Sequence, residues 1–195
     1  ACLPALAHAL LPDAIRRFAQ RQPEAAVAIT PQEPPGLEAL LSEQRFDLGL
    51  TERLDAPVAT TLQTLLVADE VCVLPPGHAL ASKAVLAPAD FEGQAFVSLA
   101  PGDPYRQQID AVFAQAGVQR RLQLESPSAV SVCALVRQGL GAAIVNPLTA
   151  LELAATGLEI RPFSVAIKFQ GALVLPEWRS PHPLRAAFVA ALQAA

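Results

Sequence analysis

The sequence predicts an α/β fold organised as two lobes. In residues 1–51, and again in residues 88–162, short apolar stretches suited to strands alternate with segments whose apolar residues recur at helical spacing. Such alternation is typical of parallel strands joined by helical crossovers. Between the two series, Leu62 to Pro75 forms a long extended segment of the kind that passes from one lobe to another. Because small ligands bind preferentially where domains meet, we expect a ligand cleft between the lobes.

The first series opens with an amphipathic helix over residues 12–21, with a start as early as Leu6. Gln22 ends this helix, since a residue that precedes proline disfavours the helical conformation. The other elements of this series are predicted as a strand over 26–30, a helix over 36–42 and a strand over 46–51.

The second series is longer and is followed by two further elements. Its predicted helices cover residues 88–91, 105–116 and 148–155, and its predicted strands cover residues 95–99, 121–125 and 158–162. An extended apolar segment over 169–176 and a helix over 183–193 come last.

Residues 125–147 compress a strand end, a helix, a glycine turn and a buried strand into one short run. Ser126-Pro127-Ser128 has the composition of a helix start, where a hydroxyl caps free N–H groups. Gly139 and Gly141 end the helix, and the apolar residues 142–145 then read as a strand buried on both faces. A helix N-terminus that opens on a loop beside a sheet can hold an anion. This run therefore predicts a ligand-binding protein.

Composition and charge exclude several classes of protein. Hydrophobic residues make up 52% of the chain, which is enough for a sizeable core. The net charge of −4 comes without any basic cluster, so the chain by itself should not bind DNA tightly. Three cysteines without paired spacing indicate free thiols in a reducing compartment, and we expect a cytoplasmic location. No apolar run is long enough to span a bilayer, so no membrane association is expected.

The sequence offers no catalytic or cofactor-binding constellation. Gly139-x-Gly141 lacks the third glycine of a dinucleotide fingerprint and lies between a helix and a strand, the reverse of the required order. The three histidines lack metal-ligand spacing, and no nucleophile is accompanied by a base. We therefore expect no enzyme activity, no cofactor and no metal. An enzyme that acts on a small molecule with the same two-lobe fold is a further hypothesis, and turnover of a bound amino acid would support it.

Hydroxyl and carboxylate side chains occur just after several predicted strands. Thr51, Ser98 and Ser126 stand at strand ends, where loops line the clefts of α/β sheets. Asp103 and Tyr105 lie in the loop after the strand 95–99, and the sequence leaves open whether they contact a ligand or only cap and pack a helix. Arg106 is left open in the same way, between a ligand carboxylate and an ordinary exposed helix position, and so is His8.

Five segments in a fixed order resemble the effector-binding domain of LysR-type transcriptional regulators. They are LLPDAIRRFAQRQPEAAVAI (10–29), LLSEQRFDLGLTE (40–52), LLVADEVCVLPPGHALA (65–81), APADFEGQAFVSL (87–99) and VCALVRQGLGAAIVNPLTA (132–150). Within the family, SLAPGDPYRQQID, SVCALV and IVNPLTAL are most similar to the branch that senses opines and the lysine precursor diaminopimelate. The resemblance implies a small carboxylate effector that resembles an amino acid.

The resemblance also implies the architecture. The family fold consists of two Rossmann-like lobes of the type 2 periplasmic-binding-protein class, with the ligand in the cleft between them. Lobe I would comprise residues 1–68 and 168–195, and lobe II residues 69–167. The winged helix-turn-helix that binds DNA in this family is absent from residues 1–195, so DNA would be contacted only through that missing domain.

The family's ligand positions fall on eleven residues of this chain: Pro4, Ala5, Leu6, Thr51, Ser98, Asp103, Tyr105, Ser126, Ser128, Ala129 and Asn146. The first loop departs from the common pattern, because many members place a serine where this chain has Pro4-Ala5. The departure removes a side-chain donor and leaves the backbone N–H groups.

The resemblance further implies homodimers or homotetramers and a role in transcription. The alternative is a periplasmic solute-binding protein of the same fold that takes an amino-acid-like ligand. The sequence upstream would discriminate between them, since a winged helix supports the regulator and a signal peptide supports the transporter component.

Overall fold

The computed structural model describes residues 1–195, and the chain divides into two compact units. Unit 1 comprises Ala1–Val67 and Gln170–Ala195, and unit 2 comprises Ala68–Phe169. The chain passes between them twice, within strand β2 (Thr60–Asp69) and within strand β8 (Lys168–Pro176). Unit 1 is therefore built from both ends of the chain, whereas unit 2 is continuous in sequence.

Unit 1 contains a three-stranded sheet in the order β1-β8-β2, with β1 spanning Gly49–Thr51. β1 and β8 are antiparallel, with Leu50 opposite Leu173. The helices of the unit are α1 (Pro4–Ala9), α2 (Leu11–Arg21), α3 (Gly36–Ser42) and α7 (Arg185–Gln193). α2 packs on α7 through an edge-to-face contact between Phe18 and Phe188, whose ring centroids lie 5.1 Å apart.

Two expectations for unit 1 need correction. The predicted strand 26–30 is wrong, because the segment forms no ladder and exposes 40% of Val27 and 44% of Ile29. Only its end is bonded, where Cys2 N–H donates to Thr30 O at 3.1 Å. The first helix is divided at Leu10 into α1 and α2, since Pro12 has no N–H to donate to the preceding turn.

Unit 2 contains two sheets. The first has the order β6-β3-β7, and both pairs are antiparallel; its strands are β3 (Val71–Leu74), β6 (Ala143–Val145) and β7 (Glu159–Pro162). The second pairs β4 (Ala95–Leu99) with β5 (Arg121–Ser126) in parallel. The prediction of uniformly parallel strands is therefore wrong for this sheet. β3, which follows β2 directly in the chain, is antiparallel to both of its neighbours, β6 and β7.

The helices of unit 2 follow the sequence-based expectations closely. They are α4 (Pro104–Gln115), α5 (Ala129–Arg137) and α6 (Pro147–Glu152), with single 3₁₀ turns at Ala79–Ser82, Pro88–Phe91 and Ala154–Thr156. The predicted helix 148–155 is shorter than expected, since its last turn tightens into the third of these 3₁₀ turns.

The core of unit 2 is an aromatic cluster beside β4. Phe91, Phe96, Phe113 and Phe163 form five ring contacts, with centroids 5.6–6.2 Å apart. Arg120 covers this cluster, with its guanidinium carbon 3.9 Å from the centroid of Phe113 and 4.6 Å from that of Phe96. The cluster fixes β4 and thereby the loop that leaves its carboxyl end.

Gly141 allows the chain to approach β4 closely enough to start β6. Its φ is +146°, and a Cβ at this position would lie 2.7 Å from the carbonyl oxygen of Ala95. The next residue, Ala142, donates to that carbonyl at 2.9 Å and accepts a hydrogen bond from Val97 N–H at 2.9 Å. Ala142 and Phe96 consequently form a parallel bridge, so β6 runs in the same direction as β4.

Candidate functional site

Polar residues of unit 2 meet at the edge of the sheet where β4 and β5 end. The parallel register places Ser98 opposite Glu125 and Leu99 opposite Ser126. Because β6 runs parallel to β4, Asn146, which follows its last residue, belongs to the same edge. α5 begins three residues after β5, at Ala129, so its N-terminal turn opens here as well. The fold thus brings five of the predicted ligand residues to one edge: Ser98, Ser126, Ser128, Ala129 and Asn146.

Ser98 is the most unusual side chain at this edge. It is 1% exposed, and its buried Oγ has no hydrogen-bond partner. A buried hydroxyl without a partner destabilises the folded state by about 1–3 kcal/mol. A ligand oxygen or a water molecule that bonded to this hydroxyl would remove that penalty.

The N-terminus of α5 has no side-chain cap. Ser128 occupies the cap position with an extended backbone, and its hydroxyl makes no capping bond to the first turn. The hydroxyl of Ser126 instead accepts a hydrogen bond from Ser128 N–H at 3.2 Å. The first-turn N–H groups of α5 therefore keep their capacity to bind an anion.

Asp103 and Tyr105 have structural roles at the start of α4. Asp103 caps the helix, its Oδ1 accepting hydrogen bonds from the N–H groups of Tyr105 at 2.8 Å and Arg106 at 3.1 Å. Burial raises the pKa of the Asp103 carboxyl, and these two hydrogen bonds oppose the shift. Tyr105 is buried, with its ring centroid 6.0 Å from that of Phe169. The structure supports the capping and packing interpretation that the sequence left open.

Arg106 is buried in a network within unit 2 rather than exposed on a helix. Its Nη1 donates to the carbonyl oxygen of Leu99 at 2.8 Å and to Glu125 Oε1 at 2.9 Å. Its Nε donates to Asp110 Oδ2 at 2.7 Å, and Asp110 also pairs with Arg120 at 2.5 Å. Arg106 therefore ties the ends of β4 and β5 to α4 and positions Ser98, which immediately precedes Leu99.

Asn146 begins α6 and lies beside a residue that the sequence analysis missed. Its Oδ1 accepts a hydrogen bond from Thr149 N–H at 2.8 Å, so Asn146 is a helix cap. Thr149 is 2% exposed, and its buried Oγ1 has no hydrogen-bond partner, as with Ser98. No sequence signal marked Thr149, because a threonine within a short helix normally faces solvent or bonds to its own helix.

The remaining predicted site residues belong to unit 1. Pro4 starts α1, while Ala5 and Leu6 bury their side chains in the core of the unit, so only their backbone is available to a ligand. Thr51 is 2% exposed, and its Oγ1 accepts a hydrogen bond from Arg53 N–H at 3.3 Å.

The three thiols are buried, and the described side chains form no metal-binding cluster. Cys2, Cys72 and Cys133 are all unpaired and buried, and burial raises the pKa of the Cys133 thiol to about 12. No three His, Cys, Asp or Glu side chains lie close enough together to hold a metal ion. None of the helices combines the length and the apolar character that crossing a membrane requires.

The two-unit fold is shared with solved regulatory domains. The CcmR regulatory domain of Synechocystis PCC6803, solved in complex with 2-PG, matches with a TM-score of 0.82 at 18% identity, covering 99% of this chain and 93% of that chain. The fold class is therefore type 2 periplasmic-binding-protein-like. The LysR substrate binding domain family matches residues 1–195, and the chain belongs to that family.

Two curated relatives agree with this assignment. The transcriptional activator protein LysR of Escherichia coli (strain K12) is 50% identical over 194 residues, which cover 100% of this chain and 62% of the relative. The regulatory protein NocR of Agrobacterium tumefaciens (strain T37) is 32% identical over 192 residues, which cover 98% of this chain and 64% of the relative. The chain thus spans less than two thirds of either relative.

The resemblance to LysR-type regulators, drawn above from five segments, is confirmed. The similarity to NocR agrees with the resemblance to the opine-sensing branch. Both relatives are named as regulators rather than as enzymes. The chain is the effector-binding domain of a LysR-type regulator, and the periplasmic solute-binding alternative is not favoured.

Proposed function

We propose that this domain binds a small carboxylate of the amino-acid or opine class and, through that binding, controls transcription by the longer regulator. The observation that carries the proposal is the buried, unpartnered hydroxyl of Ser98, which lies at the same sheet edge as the uncapped N-terminus of α5. A carboxylate accepts hydrogen bonds from both kinds of donor, and the helix dipole favours its negative charge.

The donors at this edge suit an oxygen-rich ligand. Ser98 and Thr149 each contribute a buried hydroxyl without a partner, and the first-turn amides of α5 contribute N–H groups. Ser126 is already engaged through its oxygen but retains a hydroxyl proton to donate. Arg106, the side chain most suited to a bidentate carboxylate contact, is occupied by Leu99, Asp110 and Glu125. We therefore assign carboxylate binding to hydroxyls and main-chain amides.

The amino-acid-like character of the ligand is supported by the relatives. Residues 98–110, 131–136 and 144–151 resemble the opine and diaminopimelate branch, and two of these segments include Ser98 and Asn146. The 2-PG complex of the CcmR domain supports a small-molecule effector in a protein of the same fold. We also propose that Pro4, Ala5, Leu6 and Thr51 of unit 1 contact the effector, as the family resemblance implies.

In the proposed mechanism, the effector biases an equilibrium between two arrangements of the regulator. Binding shifts that equilibrium only by the difference in the ligand's affinity for the two arrangements. We infer that the protein acts in the cytoplasm as a homodimer or homotetramer. This shift would alter the spacing of the DNA-binding domains, which lie outside residues 1–195, and thereby transcription.

A thermal-shift screen of the 195-residue chain tests the ligand class. Lysine, diaminopimelate, octopine and nopaline are the probes, and a ligand of the native state should raise the Tm with increasing concentration. Ser98→Ala should weaken a hit about tenfold, because it removes one hydrogen bond to a charged group. Ser164→Ala, at an exposed position after β7, is the matched control and should bind as the parent does.

Two outcomes contradict the proposal. If none of the probes raises the Tm at about 10 mM, the ligand class is wrong. If a hit keeps its affinity in Ser98→Ala and in the double variant Ser98→Ala with Ser128→Ala, the ligand binds elsewhere.

A further inference from the structure

Unit 1 contains a cavity of about 400 Å³ that none of the predicted effector-binding residues lines. The volume falls in the range of roughly 300–1,000 Å³ that is typical of small-molecule sites. Its apolar lining includes Leu11 and Phe18 of α2, Leu50 of β1 and Phe188 of α7, together with side chains from the segments between these elements: Val27, Ile29, Phe46, Leu48 and Leu184. The cavity is thus separate from the edge of unit 2 described above and has a lining of different character.

The charged side chains around the cavity differ in whether they are paired. Asp47 pairs with Arg179 at 3.1 Å, and Arg45 pairs with Glu43 at 3.4 Å. Arg185 also lines the cavity, and its guanidinium has no hydrogen-bond or ion-pair partner. Of the charged side chains Arg45, Asp47 and Arg185 in the lining, only that of Arg185 is therefore unpaired, and its charge is positive.

His182 adds a polar donor to the same lining. Its Nδ1 accepts a hydrogen bond from Leu184 N–H at 3.2 Å, so the neutral ring carries its proton on Nε2. That N–H and the Arg185 guanidinium are both donors of the kind that a carboxylate accepts from. Both residues lie at or just before the first turn of α7.

The segment 26–29 also lines the cavity. It makes no strand ladder, and it contributes the apolar side chains of Ala26, Val27, Ala28 and Ile29 to the lining. Because most of the lining side chains are apolar, the cavity suits an apolar body rather than a polar chain.

We propose that this cavity is a second ligand site, which takes an apolar carboxylic acid such as an aryl or medium-chain alkyl acid. The carboxylate bonds to Arg185 and His182, and the apolar body packs between Phe18, Phe188 and Leu50. The ligand differs in chemistry from the amino-acid-like effector proposed above, and the site does not depend on that effector.

Amide NMR of the 195-residue chain with phenylbutyrate tests the proposal. The expected result is a saturable set of shifts confined to residues 1–2, 11–29, 45–50 and 182–188, with a Kd of about 1 mM or tighter. Phenylbutyramide, which has the same apolar body without the charge, should bind at least about tenfold more weakly.

Two variants and their controls separate this site from nonspecific binding. Arg185→Gln should weaken phenylbutyrate about tenfold, whereas Arg16→Gln, on the exposed face of α2, should not. Ala28→Phe should fill the cavity and abolish the shifts, and Ala186→Phe, an exposed position of α7 outside the lining, should leave them unchanged.

The proposal is overturned by any of three results. These are no saturable shifts at about 10 mM, shifts centred on residues 98–149, or equal affinity for the acid and the amide. Ala28 and Arg185 are solvent-accessible, so we expect both variants to fold. Amide resonances outside the cavity that match those of the parent chain verify this.

Discussion

The guanidinium of Arg106 donates a hydrogen bond of 2.8 Å to the main-chain carbonyl of Leu99, seven residues earlier in the chain. This contact links the first turn of α4 to the end of β4, where Ser98 holds its unpartnered hydroxyl. A side chain that could have bound a ligand carboxylate instead positions the strand that carries the candidate site.

Replacing Arg106 should destabilise unit 2 more than replacing an exposed arginine. Arg106→Gln removes charge-assisted hydrogen bonds to Asp110 and Glu125 in a position only 6% exposed. We expect the free energy of unfolding to fall by about 2–3 kcal/mol, measured by urea denaturation. Arg16→Gln, which loses an exposed pair with Asp13, should change it by less than about 1 kcal/mol. Equal effects of the two substitutions would show that the network contributes little.

Asp103 should make stability depend on pH in a defined direction. Burial raises the pKa of its carboxyl in the folded state, so the folded protein holds this proton more tightly than the unfolded chain does. The associated stabilisation is complete below the ordinary aspartate pKa and is lost as pH rises through the raised value. Asp103→Asn keeps a capping oxygen and cannot ionise, so it should gain stability relative to the parent across that window.

Thermal unfolding of the parent and Asp103→Asn at a series of pH values checks this expectation. Asp103→Ala, which loses the cap itself, should be less stable than Asp103→Asn by about 1 kcal/mol at every pH. A difference between parent and Asp103→Asn that does not vary with pH would contradict the expectation.

Gly141 should tolerate no side chain. Gly141→Ala places a methyl group against the Ala95 carbonyl at a φ that L-residues rarely adopt, and we expect a loss of about 2–4 kcal/mol of unfolding free energy. Gly102→Ala is the control, because nothing lies within 4 Å of the added atom and its φ is ordinary. It should change stability by less than about 1 kcal/mol. If chemical denaturation gives both variants the same midpoint, the backbone at Gly141 does not lie as close to the Ala95 carbonyl as the structure shows.

The three thiols should be inert in the folded protein. Burial raises the pKa of all three, so little thiolate is present at about pH 8. Iodoacetamide followed by mass spectrometry should detect almost no adducts on the native chain and three on the chain unfolded in urea. Rapid labelling of Cys133 without denaturant would mean that α5 opens readily.

The sequence predicted elements best where local chemistry is sufficient. The helix 36–42 and the strand 95–99 have the bounds that were predicted, because their apolar spacing and their flanking turns decide them locally. Residues 26–30 form a short apolar run like that of a strand, yet they form no ladder. A strand requires a partner, and the partner is set by the fold of the rest of the chain.

The candidate site shows the same division between local and distant information. Asp103 followed by proline marks a helix cap, and the structure has that cap. The position of Arg106 could not be predicted in this way, since only its partner Asp110 is local, whereas Leu99 and Glu125 lie seven and nineteen residues away. The missing bonds of the Ser98 and Thr149 hydroxyls were equally invisible, because the absence of a partner depends on every neighbour at once.

Unit 2 is one uninterrupted stretch of the chain, whereas unit 1 closes only when β8 pairs with β1, Leu173 against Leu50. During synthesis on the ribosome, residues 68–169 can form all their contacts within unit 2 before residues 170–195 have been made. Residues 1–67 cannot complete unit 1 until those 26 residues emerge. We therefore expect residues 1–67 to depend on residues 170–195 for their native contacts, and a stop codon just before residue 170 to leave unit 2 able to fold while unit 1 cannot.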